Sequence, residues 1–359
     1  MSAAGVTLVA RRVPAEVGHA LAERFEAGDP GADLAGSVAW NRAAARALGE
    51  ERSVGVAVEL PGAEAGGHAA LAVTRAGWRS GSPGQPCLAW PMHELGFGFA
   101  PRLARPLGTE RWLEALQAAF PSHRLELTRC RPGLVADAPA GWRRQEGVGT
   151  WVRAWDQGVA DGPEYLASLQ GKHRRDLGKA RREIEAAGGQ WVDHEQADPA
   201  ALDACFALHR ARLLGKGARS AYFAATGERF LRELARQMSG CGLRLTLLRR
   251  GDRLLAACLS FVFARRYKAF VSGWIPAEAK LDLGRQVIFH QVLGEIERGV
   301  REIDLLGGDL AYKREFGLAK RATLDLVRVP GVVAAARERI VQKALVVWRG
   351  VRRAARAPR

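Results

Sequence analysis

The sequence predicts an α/β protein, a mixed central sheet flanked by helices, and three observations carry that prediction. Leu254 to Gly317 reads as two β-strands, a glycine-led amphipathic helix and a further strand ending in IDLLGGDLAYKREFG. Strand, helix and strand in that order belong to α/β architecture. A hairpin followed by a helix occurs twice, around residues 53–120 and 243–298, which points to a structural duplication without a strict sequence repeat. Finally, 359 residues with 48% hydrophobic and 26% charged content suit a soluble chain of two ordinary domains.

Each element has its own signal. Ser53–Leu60 (SVGVAVEL) and His68–Arg75 (HAALAVTR) flank the turn-rich PGAEAGG and read as a hairpin. Thr109–Phe120 places Trp112, Leu113, Leu116 and Phe120 on one helical face. Gly162–Ala187, opened by Pro163, reads as one long helix with an apolar seam and basic residues elsewhere. Ala200–Leu214 and Gly227–Met238 are further helices. LRLTLLRR and LLAACLSFVFA meet at Gly251–Asp252 as a hairpin, and Arg266–Trp274 supplies a third strand. The boundary falls between Pro139 and Asp161, so the expected division is residues 1–145, 146–330 and a basic tail, 331–359.

Charge narrows the partners. A net charge of +16, from 54 Lys and Arg against 38 Asp and Glu, favours phosphates, nucleic acid or anionic lipid headgroups. The basic residues follow no helix-turn-helix or zinc-finger pattern, so DNA is not an expected partner. The five cysteines are widely spaced with no C-x-x-C pair, which argues against a disulfide framework and against a metal site. No window approaches the roughly 18–20 apolar residues that span a bilayer, and the N-terminus makes no convincing signal peptide. A soluble, cytoplasmic protein is expected.

Two constellations could carry chemistry. Gly284 stands at the start of the helix Gln286–Arg298, between Lys280 and Arg285. Unpaired N–H groups and the positive dipole end at a helix start can hold a phosphate or pyrophosphate. An ordinary loop-to-helix junction gives the same pattern. Past the strand EIDLL, Asp309, Tyr312 and Lys313 fit the roles of general base, proton donor or orienting group, and anion clamp. A surface salt-bridge cluster fits them as well. Cys258, in an apolar strand, reads as core, and no G-x-S-x-G or Cys/His pairing is visible.

Asp304-Leu305, Gly308, Tyr312-Lys313 and Phe316 carry a resemblance, together with the basic helix GKHRRDLGKARREIEAAGG and the later HRARLLGKGARSAYF. In that order and spacing, roughly from Tyr165 to Gly317, the chain resembles the GNAT-like acyltransferases of the Fem and CelD type, found in bacterial cell-envelope and polysaccharide biosynthesis. The resemblance implies tandem GNAT-like (acyl-CoA N-acyltransferase) lobes, the first degenerate. It also implies transfer of an acyl group, with acetyl from acetyl-CoA the expected case, to an amine or hydroxyl of a sugar, glycan or envelope precursor.

The resemblance also implies site residues. Asp309, Tyr312 and Lys313 become the catalytic set. Ser272, Gly273 and Trp274 lie where a splayed strand offers N–H groups to an oxyanion, and Lys280, Leu283, Gly284, Arg285 and Gln286 lie where acyl-CoA is held. Lys172, Arg175 and Lys179 become candidates for an anionic acceptor, though a solvated helix face explains them equally well. The chain departs from the usual [QR]-x-x-G-x-[GA] loop by having a single glycine in Lys280–Arg285. Fem-type relatives take aminoacyl groups from tRNA instead, a donor that a chain of charge +16 suits. A catalytically silent scaffold for a polysaccharide synthase is the alternative from another class. From Arg337 onward eight Lys and Arg stand against one Glu, with Ile340, Leu345 and Trp348 among the apolar residues. That composition suits a helix on an anionic membrane surface, at the inner face of the plasma membrane, and equally a helix docked on the protein itself.

Overall fold

The computed structural model describes residues 9–26, 33–59, 65–75, 86–103, 108–136, 138–155, 161–215 and 225–331, with Ala336 and Ile340. In the first half, β1 (Val9–Val13), α1 (Ala15–Glu26) and α2 (Val38–Leu48) precede β2 (Ser53–Glu59), β3 (Ala65–Arg75) and β4 (Pro86–Ala89). Then come the short β5 (Arg102–Leu103), α3 (Thr109–Ala119), β6 (Arg124–Cys130) and β7 (Trp142–Glu146). In the second half, β8 (Thr150–Ala154), α4 (Gly162–Ser168), α5 (Gly171–Ala186), β9 (Gln190–His194), α6 (Pro199–Leu214) and α7 (Ala225–Gln237) lead to β10 (Leu243–Arg250). β11 (Arg253–Phe263), β12 (Arg266–Trp274), α8 (Leu283–Glu297), β13 (Glu302–Asp304), α9 (Ala311–Glu315), β14 (Ala319–Arg321) and β15 (Leu324–Arg328) complete it.

The strands form two sheets, ordered β1-β2-β3-β4-β6-β15-β7 and β14-β8-β13-β12-β11-β10-β9, with β5 beside β3. Each sheet holds one parallel pair, β4 with β6 and β12 with β13, bridged by α3 and α8 respectively. Both halves therefore repeat one topology: a strand, two helices, three antiparallel strands, a helix and a parallel strand. The duplication read from the hairpins is real at the level of the fold. β15 returns from the second half to lie between β6 and β7 of the first sheet.

The lobes differ at the matching place. After Ala89, the last residue of β4 paired with β6, Trp90 stacks between Phe99 and Trp112 of α3, at centroid separations of 5.6 and 6.0 Å. These rings are buried and fill the first lobe. In the second lobe the corresponding space is open. The lobes are joined by packing of α2 on α7, where Trp40 meets Phe230 at 4.6 Å, and by buried ionic contacts at the seam.

Two sequence expectations change. The single helix over Gly162–Ala187 is two, α4 and α5, with Leu169 extended between them (φ −80°, ψ 151°). The Ser168 hydroxyl donates to the Tyr165 carbonyl (2.5 Å) and the Arg153 guanidinium donates to the Ser168 hydroxyl (2.7 Å), so a side chain competes with the helical ladder there. Gly284 does not precede its helix; it lies in the first turn of α8, whose N-cap is Asp282 in the left-handed region (φ 50°). Among the described residues no helix is long and apolar enough to cross a membrane. The tail over 337–359 lies outside the described residues apart from Ile340.

Candidate active site

The site is a fork in the second sheet. β12 and β13 pair at Arg266↔Glu302, Tyr267↔Ile303 and Lys268↔Asp304, and then part. Asp304 is fully buried and explains the parting. Its carboxylate accepts the Leu306 N–H (2.8 Å), the Thr150 hydroxyl and the Lys268 ammonium (3.2 Å). The bond to Leu306 turns the chain back at once, and Leu306 takes a left-handed conformation (φ 56°). On the other tine, the β11–β12 register skips Phe270, a bulge that bends β12 away. Burial works against the Lys268 charge, but the carboxylates of Asp33 and Asp304 raise its pKa above the ordinary value.

Between the tines lies a cavity of about 380 Å³ lined by residues from α6, β11, β12, α8 and the 305–313 segment. Its β12 wall runs from Ala269 to Trp274 and includes strand backbone. The Ile275 N–H bonds the Leu255 carbonyl across the hairpin, so by strand alternation the peptide groups of Ser272 and Trp274 face the gap. The Ser272 carbonyl is taken by His209 Nδ1 at 2.7 Å, while a Cβ at Gly273 would overlap the backbone of Leu208 and His209. Gly273 is thus required for α6 to lie on β12. His209 is 5% exposed, and its pKa is lowered to about 4, first by burial, with Arg212 adding to that and the Ser272 bond opposing it.

The catalytic set read from the sequence separates in space. Tyr312 lines the cavity and meets Phe316 edge-on at 5.7 Å. Lys313 is 2% exposed, and its ammonium donates to the carbonyls of Leu305 (2.7 Å), Leu306 (3.0 Å) and Gly307 (2.6 Å). Burial lowers its pKa to about 8 against the pull of Asp304 and Asp309. Lys313, expected as an anion clamp, lines the cavity, and its ammonium caps the end of a turning strand through these three carbonyls. Asp309, expected as general base, is exposed beyond the Gly308 turn (φ 89°) and pairs with Arg314 at 3.0 Å. It lines no part of the cavity.

The helix start also differs from a bare phosphate cradle. A Cβ at Gly284 would run into the Trp274 indole, which covers that turn, and Arg212 lies 4.3 Å over the same indole. Arg285 is held by the carboxylates of Asp282 and Glu315, and burial raises the Asp282 pKa. Leu283 is buried in the core of the lobe, and Gln286 donates to the Leu177 carbonyl (3.1 Å), tying α8 to α5. The Lys280 side chain lies outside the described residues. Lys172, Arg175 and Lys179 are exposed on α5 and do not line the cavity. The helix start thus presents two carboxylates and a ring together with the cations Arg212 and Arg285, so any diphosphate there would meet cations that are already paired or stacked.

His209 and Arg212 line the cavity, and neither is among the site residues expected from the sequence. The available signal was His209 continuing the seam Leu202, Cys205, Phe206, where a buried imidazole calls for a partner. Cys258 reaches the cavity wall, but burial pushes its thiol up to about 12, so it is core. Among the described residues no cluster of three His, Cys, Asp or Glu could hold a metal ion.

Residues 171–314 match the family described as Acetyltransferase (GNAT) domain. No curated protein matches the sequence. Among solved structures, the chain is similar to FemX, with a TM-score of 0.61 at 11% identity over 89% of this chain and 97% of that one. It is also similar to the C-terminal domain of a putative lysylphosphatidylglycerol synthetase from Agrobacterium fabrum, with a TM-score of 0.57 at 12% identity over 90% and 95%. A conserved protein of unknown function from Bacteroides thetaiotaomicron gives a TM-score of 0.55 at 10% identity over 87% and 97%. At such identities these likenesses establish the fold. Residues 171–314 therefore match a GNAT acetyltransferase domain set in a two-sheet α/β chain, and that match supports an acyltransferase.

Proposed function

We propose that the fork between β12 and β13 seats an activated acyl donor and that the acyl group passes to an amine or hydroxyl of a sugar, glycan or envelope precursor. The observation that carries this is the parting of the strands after Lys268 and Asp304, with strand backbone facing a cavity on one side and Tyr312 on the other. In the reaction the acceptor's nitrogen or oxygen attacks the acyl carbonyl carbon. The developing oxyanion takes the Ser272 N–H, which shares the gap-facing edge with the carbonyl bound by His209. The bond to the leaving group then breaks; the attacking atom releases its proton to solvent, and the Tyr312 hydroxyl supplies a proton to the departing atom and is reprotonated from solvent. Acyl-CoA is the donor that a GNAT domain implies.

A second reading has its own support. The carboxylates of Asp282 and Glu315 and the Trp274 indole at the start of α8 disfavour a diphosphate there, and the charge of +16 suits a polyanionic carrier. Under that reading the donor is an aminoacyl-tRNA, as in Fem-type relatives. Incubation with acetyl-CoA or with a charged tRNA pool, each with amino-sugar and glycan-precursor acceptors and mass-resolved products, separates them. RNase-sensitive product formation identifies the tRNA donor. Product from neither, with a synthase subunit captured instead, would replace both readings with a scaffold role. We place the protein in the cytoplasm, with residues 337–359 able to meet an anionic membrane. Flotation on anionic vesicles that is unchanged by removal of those residues would exclude the membrane contact.

A further inference from the structure

We infer that Arg212 binds a phosphate group on the carrier half of the acyl donor, a role that rests on the acyl-transfer reading above. Arg212 is half-buried and lines the cavity from the last turn of α6. Its guanidinium lies 4.3 Å over the Trp274 indole, whose face attracts a cation but has no oxygen to accept an N–H. Among the described residues no carboxylate pairs with it. Of its three nitrogens only Nε is shut away from solvent, and Nε has no partner either, so the two Nη groups are left to the cavity. Burial accordingly lowers its pKa below the ordinary guanidinium value, with the Tyr312 phenol opposing the shift. Arg232, Arg298 and Arg321, each held by carboxylates, shift the other way.

The other anion attractors described around the cavity are already engaged. Arg285 lies between the carboxylates of Asp282 and Glu315, and the Lys313 ammonium donates to three carbonyls. The first turn of α8 is covered by the Trp274 indole, whereas Arg212 rests on that indole with its Nη donors unspent. A cation without a counterion beside an apolar cavity is stabilised by any anion that enters. Position decides which part of the donor is held. His209, one turn earlier on α6, binds the Ser272 carbonyl at the edge that meets the oxyanion, and Arg212 continues from there toward Trp274 and Tyr312. Tyr312 is placed at the departing atom, so Arg212 stands on the leaving-group side of the acyl carbon. The leaving group is the carrier in both donors, a thiol or a ribose hydroxyl, and both carriers bear phosphate.

Arg212→Met keeps an unbranched stem over Trp274 and removes the charge and its donors. The donor's KM is expected to rise about 10- to 100-fold, the worth of a charge-assisted hydrogen bond, while kcat changes far less. Arg212→Lys, which keeps the charge but not the fork, is expected to fall between parent and R212M. Calorimetry separates the phosphate from the rest of the carrier. Coenzyme A against pantetheine serves an acetyl-CoA donor, and a phosphorylated CCA trinucleotide against adenosine serves a tRNA donor. R212M is expected to weaken the phosphate-bearing member of the pair that the parent binds and to leave the other within about twofold. An active parent whose donor KM moves less than about threefold in R212M, or equal weakening of both members, would overturn the assignment alone. The thermal midpoint of R212M is expected at or above that of the parent, since no ion pair is lost; a clear fall would make Arg212 a brace of the fold and also overturn it. A parent that transfers from neither acetyl-CoA nor charged tRNA overturns the reading beneath, and the assignment with it.

Discussion

The ammonium of Lys268 stands 2.9 Å from Asp33 of the first lobe and 3.2 Å from Asp304 at the fork. One buried cation therefore joins the lobe interface to the point where the strands part. Replacing Lys268 with Met leaves two buried carboxylates facing each other, and removing one partner of a buried pair costs about 3–5 kcal/mol. K268M is expected to unfold at correspondingly lower denaturant concentration. The triple change with Asp33→Asn and Asp304→Asn is expected to recover part of that loss, as read by urea titration.

His209 gives the fold a pH dependence with a definite sign. Its pKa is about 4 in the folded protein against an ordinary 6.5, so the unfolded chain binds more protons between those values. Stability is fully present above pH 6.5 and is lost as pH falls through that window, by about 3 kcal/mol at its lower end. The curve for H209N is expected to lack that component, which denaturant unfolding at pH 7 and pH 4.5 would reveal.

Lys313 and Asp309, neighbours in sequence, should respond oppositely. Lys313→Met strands three carbonyls at the turn and is expected to cost about 2–4 kcal/mol and to reduce transfer by disordering the 305–307 wall. Asp309→Asn removes half of an exposed ion pair, with an expected effect within about 0.5 kcal/mol and nearly unchanged turnover. A large loss of kcat in D309N with unchanged stability would restore Asp309 as a catalytic residue.

Trp274 controls the helix start. W274A uncovers the first turn of α8, and Glu315→Gln removes a carboxylate beside it, so both are expected to tighten CoA binding in calorimetry. If the two variants bind CoA no better than the parent, the diphosphate does not seek that turn.

Much of this architecture was legible because the residues that make it are local. Asp304, Gly308, Tyr312, Lys313 and Phe316 mark one continuous turn, and the family resemblance they carry implies a splayed strand beside it. Residue roles were less legible, since a lysine in a glycine-rich turn looks the same whether it meets a ligand or the carbonyls behind it. His209 could not be placed by pattern, because its neighbour Ser272 is 63 residues away and only the packing of α6 on Gly273 brings them together. The break between α4 and α5 was hidden because the apolar spacing continues through Leu169 while Ser168 turns the backbone.

The position of β15 has a practical consequence. Since Leu324–Arg328 fill the slot separating β6 from β7, a fragment stopping near residue 147 would carry two strands with a missing partner between them. Such a piece would recruit a stray strand or precipitate, whereas supplying the 324–328 segment as a separate peptide should rescue it. The first half of the chain thus waits for the last part of the second to be synthesised before its sheet can close.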